Sequence, residues 1–369
     1  QVARRITARL ILPALLAAGM LNFVRAIESF DTPAILALPA RIEVLTTKIF
    51  REALSAYPPN HNLAATYGMS LLAIALFFVY LYRRATAVTE RFSTITGRGY
   101  RPQVIALGSW RYPASAVAVL ILSLIVVLPF LMLLLTSVLP FYEVPSWGTL
   151  KILTLKHYRF ILTSDRVQRA IRTSLTLAVS GATIGMILAS IVAYLTVRTK
   201  IAGRGVLEGL TFIPFAFPGT ALAIGLLWGY VRFPLPIYAT IWILLIAYIT
   251  RFLPYGLRAM TSTQVHRELE EASRTCGGGL AVTFRRILLP LLLPGFMAGW
   301  AILATIFMRE FSTSLFLYTP RSEPIGPLLY HLWIDGQSGR MAALGVGVSL
   351  VSVVLVAAVR RIVRTPLTR

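Results

Sequence analysis

Few side chains in this 369-residue sequence could do acid–base, metal or nucleophilic chemistry. The chain has 14 Asp and Glu, 4 His and one cysteine, Cys276. An enzyme needs such groups to converge on one site, yet the histidines are scattered, and neither a His-x-x-x-His pattern nor a Walker A pattern occurs. The densest group of acids is Glu268, Glu270 and Glu271, which open the stretch ELEEASRTCGGGLAVTFRRILLPLLLPG. This pattern does not indicate a catalytic centre and predicts no metal or cofactor bound by the chain itself.

The composition indicates the class of protein that must position this stretch. The chain is 57% hydrophobic and 14% charged, and several apolar runs reach the roughly 20 residues needed to cross about 30 Å of hydrocarbon. We therefore predict an all-α, polytopic membrane protein. The net charge of +22 is carried by residues between the apolar runs, where the positive-inside rule accounts for it, so nucleic-acid binding is not expected.

Apolar runs bounded by breakers predict eight membrane spans. They lie at approximately 10–27, 64–82, 114–137, 171–196, 207–231, 237–256, 288–308 and 341–359. If both termini are placed in the cytoplasm, most of the 36 Lys and Arg fall in inside loops. This count includes Arg251, which is assigned to the start of the loop that leads to the acidic stretch. Because cytoplasmic loops retain Lys and Arg, we predict this orientation, in which residues 268–295 are cytoplasmic.

One internal repeat suggests a division into units. Residues Arg4–Phe30 can be laid on Arg285–Phe311 without a gap, with Arg-Arg-Ile at the start, Leu-Pro seven residues on and Phe at the end. We predict that residues 1–82 are the last two spans of a first unit, 83–112 a cytoplasmic linker, and 113–369 a complete six-span unit. On this interpretation the first unit is incomplete, and about four further spans are expected before Gln1.

The acidic stretch has the pattern of a short helix that ends at a turn. Apolar residues recur at helical spacing from Ser262 to Cys276 while charged residues project elsewhere, which predicts an amphipathic helix. Three glycines from Gly277 then allow a sharp turn, and Pro290 opens the next span. The helix could stand off the membrane as a knob or lie flat on the lipid headgroups; three acids fit the second arrangement less well.

The spacing of this stretch resembles the EAA loop of binding-protein-dependent ABC importer permeases. Glu271-Ala272-Ser273, then Gly277, then Ile287 and Leu289-Pro290 follow that motif, with Ser273 replacing the usual alanine. The resemblance implies a type I importer permease fold and a coupling helix that docks on a cytoplasmic ATPase. It assigns docking and the return into the membrane to Glu268, Glu271, Ala272, Ser273, Gly277, Ile287, Leu289 and Pro290.

The resemblance also implies partners and a location. A permease of this family performs no chemistry itself; ATP and Mg are bound by a cytoplasmic ABC ATPase dimer, and a periplasmic or lipid-anchored protein delivers the substrate. The chain would lie in a bacterial inner cell membrane, surrounded by lipid. The stretch Phe23–Phe50 most resembles fused double permeases of ferric iron importers. Thiamine, polyamine, sulfate or phosphonate permeases remain alternatives, as does an integral membrane enzyme.

A few residues within or beside the spans are candidates for the translocation path or its gate. Pro214, Pro218 and Gly219 weaken helical hydrogen bonding in span 207–231, and irregular backbone in a membrane must be buried in protein or line a cavity. Charge in hydrocarbon is costly, which adds Glu28, Arg309 and Glu310 to the candidates. The alternatives are an ordinary packing kink for the prolines and pairing at the outer membrane surface for the charged residues.

Overall fold

The computed structural model describes residues 8–90, 108–141, 148, 152–232, 237, 239–263 and 267–364. Throughout these ranges the regular structure is helical, and no strand is formed. The prediction of an all-α protein is therefore confirmed. The predicted linker, 83–112, lies largely outside the described residues.

Sixteen α-helices are formed in the described ranges, several of them joined by short 3₁₀ or π-helical turns. They are α1 (Ala8–Glu28), α2 (Leu45–Phe50), α3 (His61–Glu90), α4 (Arg111–Leu122), α5 (Leu128–Val138), α6 (Lys156–Thr163), α7 (Asp165–Arg198), α8 (Arg204–Phe212), α9 (Gly219–Arg232), α10 (Ile241–Ser262), α11 (Arg267–Thr275), α12 (Leu280–Thr283), α13 (Leu289–Met308), α14 (Ser314–Leu317), α15 (Ile325–Ile334) and α16 (Ser338–Arg364).

Six helical segments of the described chain are long and apolar enough to cross a membrane. They are His61–Leu81, Gly108–Val138, Asp165–Arg198, Ile241–Ser262, Ala281–Met308 and Ser338–Ile362. The six do not include the predicted span 10–27, which coincides with α1, or the predicted span 207–231. A count of eight spans is therefore not confirmed.

The predicted span 207–231 is not one continuous helix. It is divided into α8, a 3₁₀ turn at Ile213–Ala216, and α9. Pro214 and Pro218 flank the break, and proline lacks the N–H that would continue an α-helical ladder. The backbone N–H of Phe217 instead closes a tight turn onto the carbonyl of Pro214 at 3.3 Å.

Helix α10 begins and ends later than the predicted span 237–256. The hydroxyl oxygen of Thr240 accepts a hydrogen bond from the backbone N–H of Trp242 and caps the start of the helix, and the helix continues through Pro254 to Ser262. Arg251 therefore lies halfway along an apolar helix. Counting it as a loop residue was wrong, because an apolar run and a proline do not define where a packed helix ends.

Helix α7 packs against α10 and α13, and small residues allow the close approach. A side-chain carbon at Gly181 would lie 2.7 Å from the ring of Phe307, and one at Gly299 would lie 2.7 Å from the sulfur of Met186. Helices in lipid associate through such close packing rather than through the hydrophobic effect. Met186 and Phe307 are themselves fully buried, so this three-helix contact forms the centre of the core.

The two copies of the sequence repeat meet each other at their ends. The rings of Phe30 and Phe311, which correspond in the repeat, stack with centroids 5.5 Å apart. At the next position the hydroxyl of Ser312 donates a hydrogen bond of 2.8 Å to Asp31. Corresponding residues of two related units touch only beside the axis that relates them, so these two contacts have the geometry of an approximate two-fold axis between the copies.

Candidate functional site

The polar loop, which we define as residues 267–290, contains the short helices α11 and α12. Helix α11 is described from Arg267 to Thr275, within the predicted Ser262–Cys276; α10 continues to Ser262, and residues 264–266 lie outside the described ranges. Glu268 and Glu270 lie in the first turn of α11, where negative charge favours the helix dipole. Glu268, Glu271 and Ala272 are all exposed. This surface is accessible to a partner.

Gly277 ends α11 with a backbone conformation that few other residues adopt. Its φ is +80°. The N–H of Gly277 bonds the carbonyl of Arg274 at 3.0 Å, and the N–H of Gly278 bonds that of Ser273 at 2.8 Å. These two bonds form the Schellman motif, in which the left-handed position strongly favours glycine. The spacing between Glu271 and Gly277 thus has a structural cause: the glycine closes the helix that presents the acid.

The serine that departs from the family motif links the two helices of the loop. The hydroxyl of Ser273 lies 2.8 Å from that of Thr283 in α12, and Thr283 is buried. An alanine could not form this hydrogen bond. The side chain of Ser273 also occupies the space beside Gly278, where an added carbon would lie 2.5 Å from its oxygen. The loop is therefore a compact hairpin of two helices.

The residues assigned to the return into the membrane begin α13. Ile287 lies half-buried in a π-helical turn, Phe284–Leu288. Leu289 and Pro290 are exposed at the first two positions of α13, which continues directly from the π-helical turn. The motif residues of the return thus define where α13 starts.

An ion pair connects the polar loop to α7. Nη1 of Arg198, at the end of α7, lies 3.3 Å from Oε1 of Glu270 in α11, and the two side chains are 15% and 16% exposed. The same Glu270 oxygen makes no well-directed hydrogen bond, so the contact is an attraction between charges. Glu270 was not among the predicted site residues.

A second polar cluster, which we call the Arg251 cluster, surrounds the middle of α10. Nη1 of Arg251 lies 2.7 Å from Oε1 of Glu310 and 2.8 Å from the hydroxyl of Thr313. The backbone N–H groups of Thr313 and Ser314 and the hydroxyl of Ser314 also donate to the Glu310 carboxylate, at 2.8–3.0 Å. Both oxygens of Glu310 are therefore satisfied, and its side chain is only 3% exposed.

The end of α1 and the residues after it contribute two carboxylates to this cluster. Glu28, at the end of α1, interacts electrostatically with Arg251 and Arg25. Its buried Oε1 makes no hydrogen bond. Asp31 is under the influence of Arg251, Arg309 and Glu310. Sequence reasoning proposed Glu28 and Glu310 but missed Arg251, although an arginine inside an apolar span is itself a signal of function.

The other predicted path residues lie at different distances from the Arg251 cluster. Pro218 and Gly219 are buried at the start of α9, and a side chain at Gly219 would collide with the guanidinium of Arg251. Pro214 is half-buried in the preceding turn, and Arg309 is exposed. Glu310 pairs with Arg251 and not with its sequence neighbour Arg309. Only some of the predicted path residues are therefore brought together at the Arg251 cluster.

The described residues contain no group of three or more His, Cys, Asp or Glu arranged to hold a metal ion. In the Arg251 cluster Glu310 is paired with Arg251 and Asp31 accepts a hydrogen bond from Ser312, whereas one oxygen of Glu28 has no hydrogen-bond partner. Their arrangement is therefore suited to a charge network between helices.

Comparison with known proteins places the chain in a family. Residues 181–365, half of the chain, match the family described as binding-protein-dependent transport system inner membrane component. The ferric transport system permease protein FbpB of Actinobacillus pleuropneumoniae is 26% identical over 94% of this chain and 50% of its own length. The spermidine/putrescine transport system permease protein PotC of Escherichia coli is 29% identical over 57% of this chain and 80% of its own length.

Solved structures share the fold at low sequence identity. A bacterial ABC transporter involved in alginate import aligns with a TM-score of 0.56 and 16% identity, over 70% of this chain and 96% of the matched chain. The alginate transporter in complex with its periplasmic protein aligns with a TM-score of 0.52 and 18% identity, over 69% and 96%. The chain spans about half the length of the FbpB relatives it matches. It belongs to the family of binding-protein-dependent transport system inner membrane components.

Proposed function

We propose that this chain forms the membrane path of an ATP-driven importer and couples that path to a separate ATPase. The observation that carries the proposal is the polar loop, whose exposed Glu271 and Ala272 stand on a helix closed by the Schellman turn at Gly277. A rigid, solvent-facing helix is suited to docking in a groove of a partner whose charge complements that of the helix. The family match, which includes this loop, supports the same function.

The partners follow from this function. The sequence has no Walker A pattern, so a separate ATPase subunit must bind ATP and Mg. A substrate-binding protein would dock on the opposite side, as the family description implies. We propose that the polar loop and both ends of the chain are cytoplasmic, because this places most Lys and Arg inside.

The translocation path is proposed to run beside the contact between the two repeat copies. Substrate sites in transporters built from repeats lie at the interface between the repeats. Here that interface contains the Phe30–Phe311 stack and the Arg251 cluster. Glu28 is the stronger candidate for a path residue because one of its oxygens is unpartnered, whereas the oxygens of Glu310 are fully occupied.

Iron is the proposed substrate, with polyamines as the second candidate. The ferric transport relative matches 94% of this chain, whereas the spermidine/putrescine relative matches 57%. A carboxylate in the path suits either cation. The difference in coverage therefore favours iron, since a match over 94% of this chain must include most of residues 1–82.

Uptake by the reconstituted transporter tests this proposal. Proteoliposomes would contain the full chain and its ATPase, with the binding protein outside and ATP enclosed. We expect accumulation of radiolabelled ferric ion that requires both ATP and the binding protein, and little accumulation of labelled spermidine. The reverse selectivity would assign polyamine import. Absence of ATP-dependent uptake of any substrate of the related systems would contradict the importer function and favour a membrane enzyme.

A further inference from the structure

Helix α7 carries an ion pair at each of its ends. At the inner end, Arg198 pairs with Glu270 of the polar loop at 3.3 Å. At the outer end, Arg166 donates hydrogen bonds of 2.8 and 2.7 Å to the two carboxylate oxygens of Glu323, in the segment before α15. One helix therefore contacts the loop proposed to bind the ATPase and a segment on the opposite side of the protein.

The helix between these two pairs is built to be stiff. It is 34 residues long, which corresponds to roughly 50 Å at 1.5 Å per residue, and it contains no proline. Its interior glycines are covered by neighbouring side chains: Gly181 faces Phe307, and Gly185 faces Leu303. Kinks arise at proline and at Gly/Ser pairs. Helix α7 has one such pair, Ser180-Gly181, and Phe307 packs against its glycine, so we expect α7 to move as one body.

The inner pair fixes the angle between the polar loop and α7. The hydrogen bond between Ser273 and Thr283 holds α11 and α12 together, and the turn at Gly277 is closed by two backbone bonds. A force on the exposed face of α11 therefore moves the hairpin as a unit. The chain connects this hairpin to α10 and α13, whereas α7 is distant in sequence, so the Arg198–Glu270 pair supplies a direct link to α7.

The outer pair has the better hydrogen-bond geometry, although the Arg166 side chain is 51% exposed. Glu323 is 8% exposed, and both of its oxygens accept from Arg166 in the two-pronged geometry that arginine forms with carboxylates. Next to it, the backbone N–H of Ile325 donates a 2.8 Å hydrogen bond to the hydroxyl of Ser174 in α7. The start of α15 is thereby attached to α7 and must follow its movement.

We propose that α7 is a transmission rod, in which Glu270 and Glu323 are positioning residues that couple the ATPase-docking loop to the outer segment before α15. This inference rests on the proposed function, because it requires an ATPase at one end and a binding protein at the other. Two sites joined by a rigid element influence each other reciprocally. Docking of a loaded binding protein would therefore change ATP hydrolysis by the ATPase, and ATP binding would change the position of the outer segment before α15.

Glu270→Gln and Glu323→Gln, each in the reconstituted transporter, test the rod. The readout is the ratio of ATP hydrolysis with and without loaded binding protein, together with uptake. We expect each variant to lower that ratio by about fivefold or more, the lower end of the usual coupling between distant sites. Basal hydrolysis and the amount of bound ATPase should stay at the native level in Glu323→Gln and in Arg198→Gln, which removes the inner pair from outside the polar loop. The double variant Arg198→Glu with Glu270→Arg exchanges the two charges of the inner pair. It should recover much of the native ratio of stimulated to basal hydrolysis.

Glu208→Gln is the matched control, because Glu208 is an exposed carboxylate in α8 on the same proposed side of the membrane. It should leave the ratio unchanged. Native stimulation in both Glu270→Gln and Glu323→Gln would overturn the rod. A loss of bound ATPase or of assembled complex in Arg198→Gln or Glu323→Gln would also overturn it, since the pairs would then serve folding or docking. If the native transporter showed no stimulation, the proposed function itself would fail.

Discussion

Replacing Arg251 by methionine is expected to destabilise the protein by about 3–5 kcal/mol, the usual cost of leaving one member of a buried ion pair alone. The substitution would leave the Glu310 carboxylate, 3% exposed, with hydrogen-bond donors but without its positive partner. Unfolding by heat or denaturant in detergent, monitored for the purified chain, measures the effect. Methionine keeps the length and apolar character of the arginine stem, so lost packing contributes little.

A second substitution separates the cost of the charge from other effects. In Arg251→Met with Glu310→Gln both members of this ion pair lose their charge, and the single amide oxygen can replace one carboxylate oxygen and accept from either Thr313 or Ser314. We expect this double variant to recover part of the lost stability. A single variant as stable as the native protein would show that the Arg251 cluster does not hold these helices together.

Replacing Gly277 by arginine is expected to abolish most transport without unfolding the membrane part. A residue with a side chain at φ +80° costs about 1–2 kcal/mol, which is enough to open the short turn that closes α11. The loop would then present Glu271 and Ala272 in the wrong orientation. We expect uptake and stimulated ATP hydrolysis to fall more than about tenfold, within the range of measured coupling between sites.

Two comparison variants make this result specific. Gly205→Arg adds the same charge and bulk to α8, where Gly205 is exposed and has open space around it, and uptake should remain near the native level. Gly277→Asn should be milder than Gly277→Arg, because asparagine tolerates the left-handed conformation. If Gly277→Arg transports like the native protein, the turn has no role in coupling.

The polar loop was the part of the fold and site that the sequence predicted best. Its helix, its glycine turn and the start of α13 are local features, because each depends on residues within a few positions of one another. The departure Ser273 illustrates the limit. Its identity was visible in the sequence, but its bond to Thr283 depends on how α11 and α12 fold back on each other.

The charged residues in the membrane part were harder to predict because their partners are distant in the chain. The sequence placed Arg309 beside Glu310, whereas the structure pairs Glu310 with Arg251, 59 residues away. The same holds for both ion pairs of α7. Helix boundaries failed for a related reason: packing extends α10 past Pro254, and two prolines divide the predicted span 207–231.

The repeat shows what a sequence pattern can indicate before a structure is known. Laying Arg4–Phe30 on Arg285–Phe311 identified corresponding residues, and two such pairs meet in space, Phe30 with Phe311 and Asp31 with Ser312. The alignment did not identify which corresponding residues are in contact. That contact depends on the relation between the two units, which only three-dimensional packing determines.

Cross-linking from the polar loop to the ATPase tests the central claim most directly. Cys276 is the only cysteine of the chain and is exposed, so Cys276→Ser gives a background without thiols. Ala272→Cys in this background would be labelled with a photoreactive maleimide in the assembled transporter. We predict an adduct between this position and the ATPase subunit, and none from Asp335→Cys on the proposed outer side. Equal labelling of the ATPase from both positions, or from neither, would contradict the assignment of this loop as the coupling element.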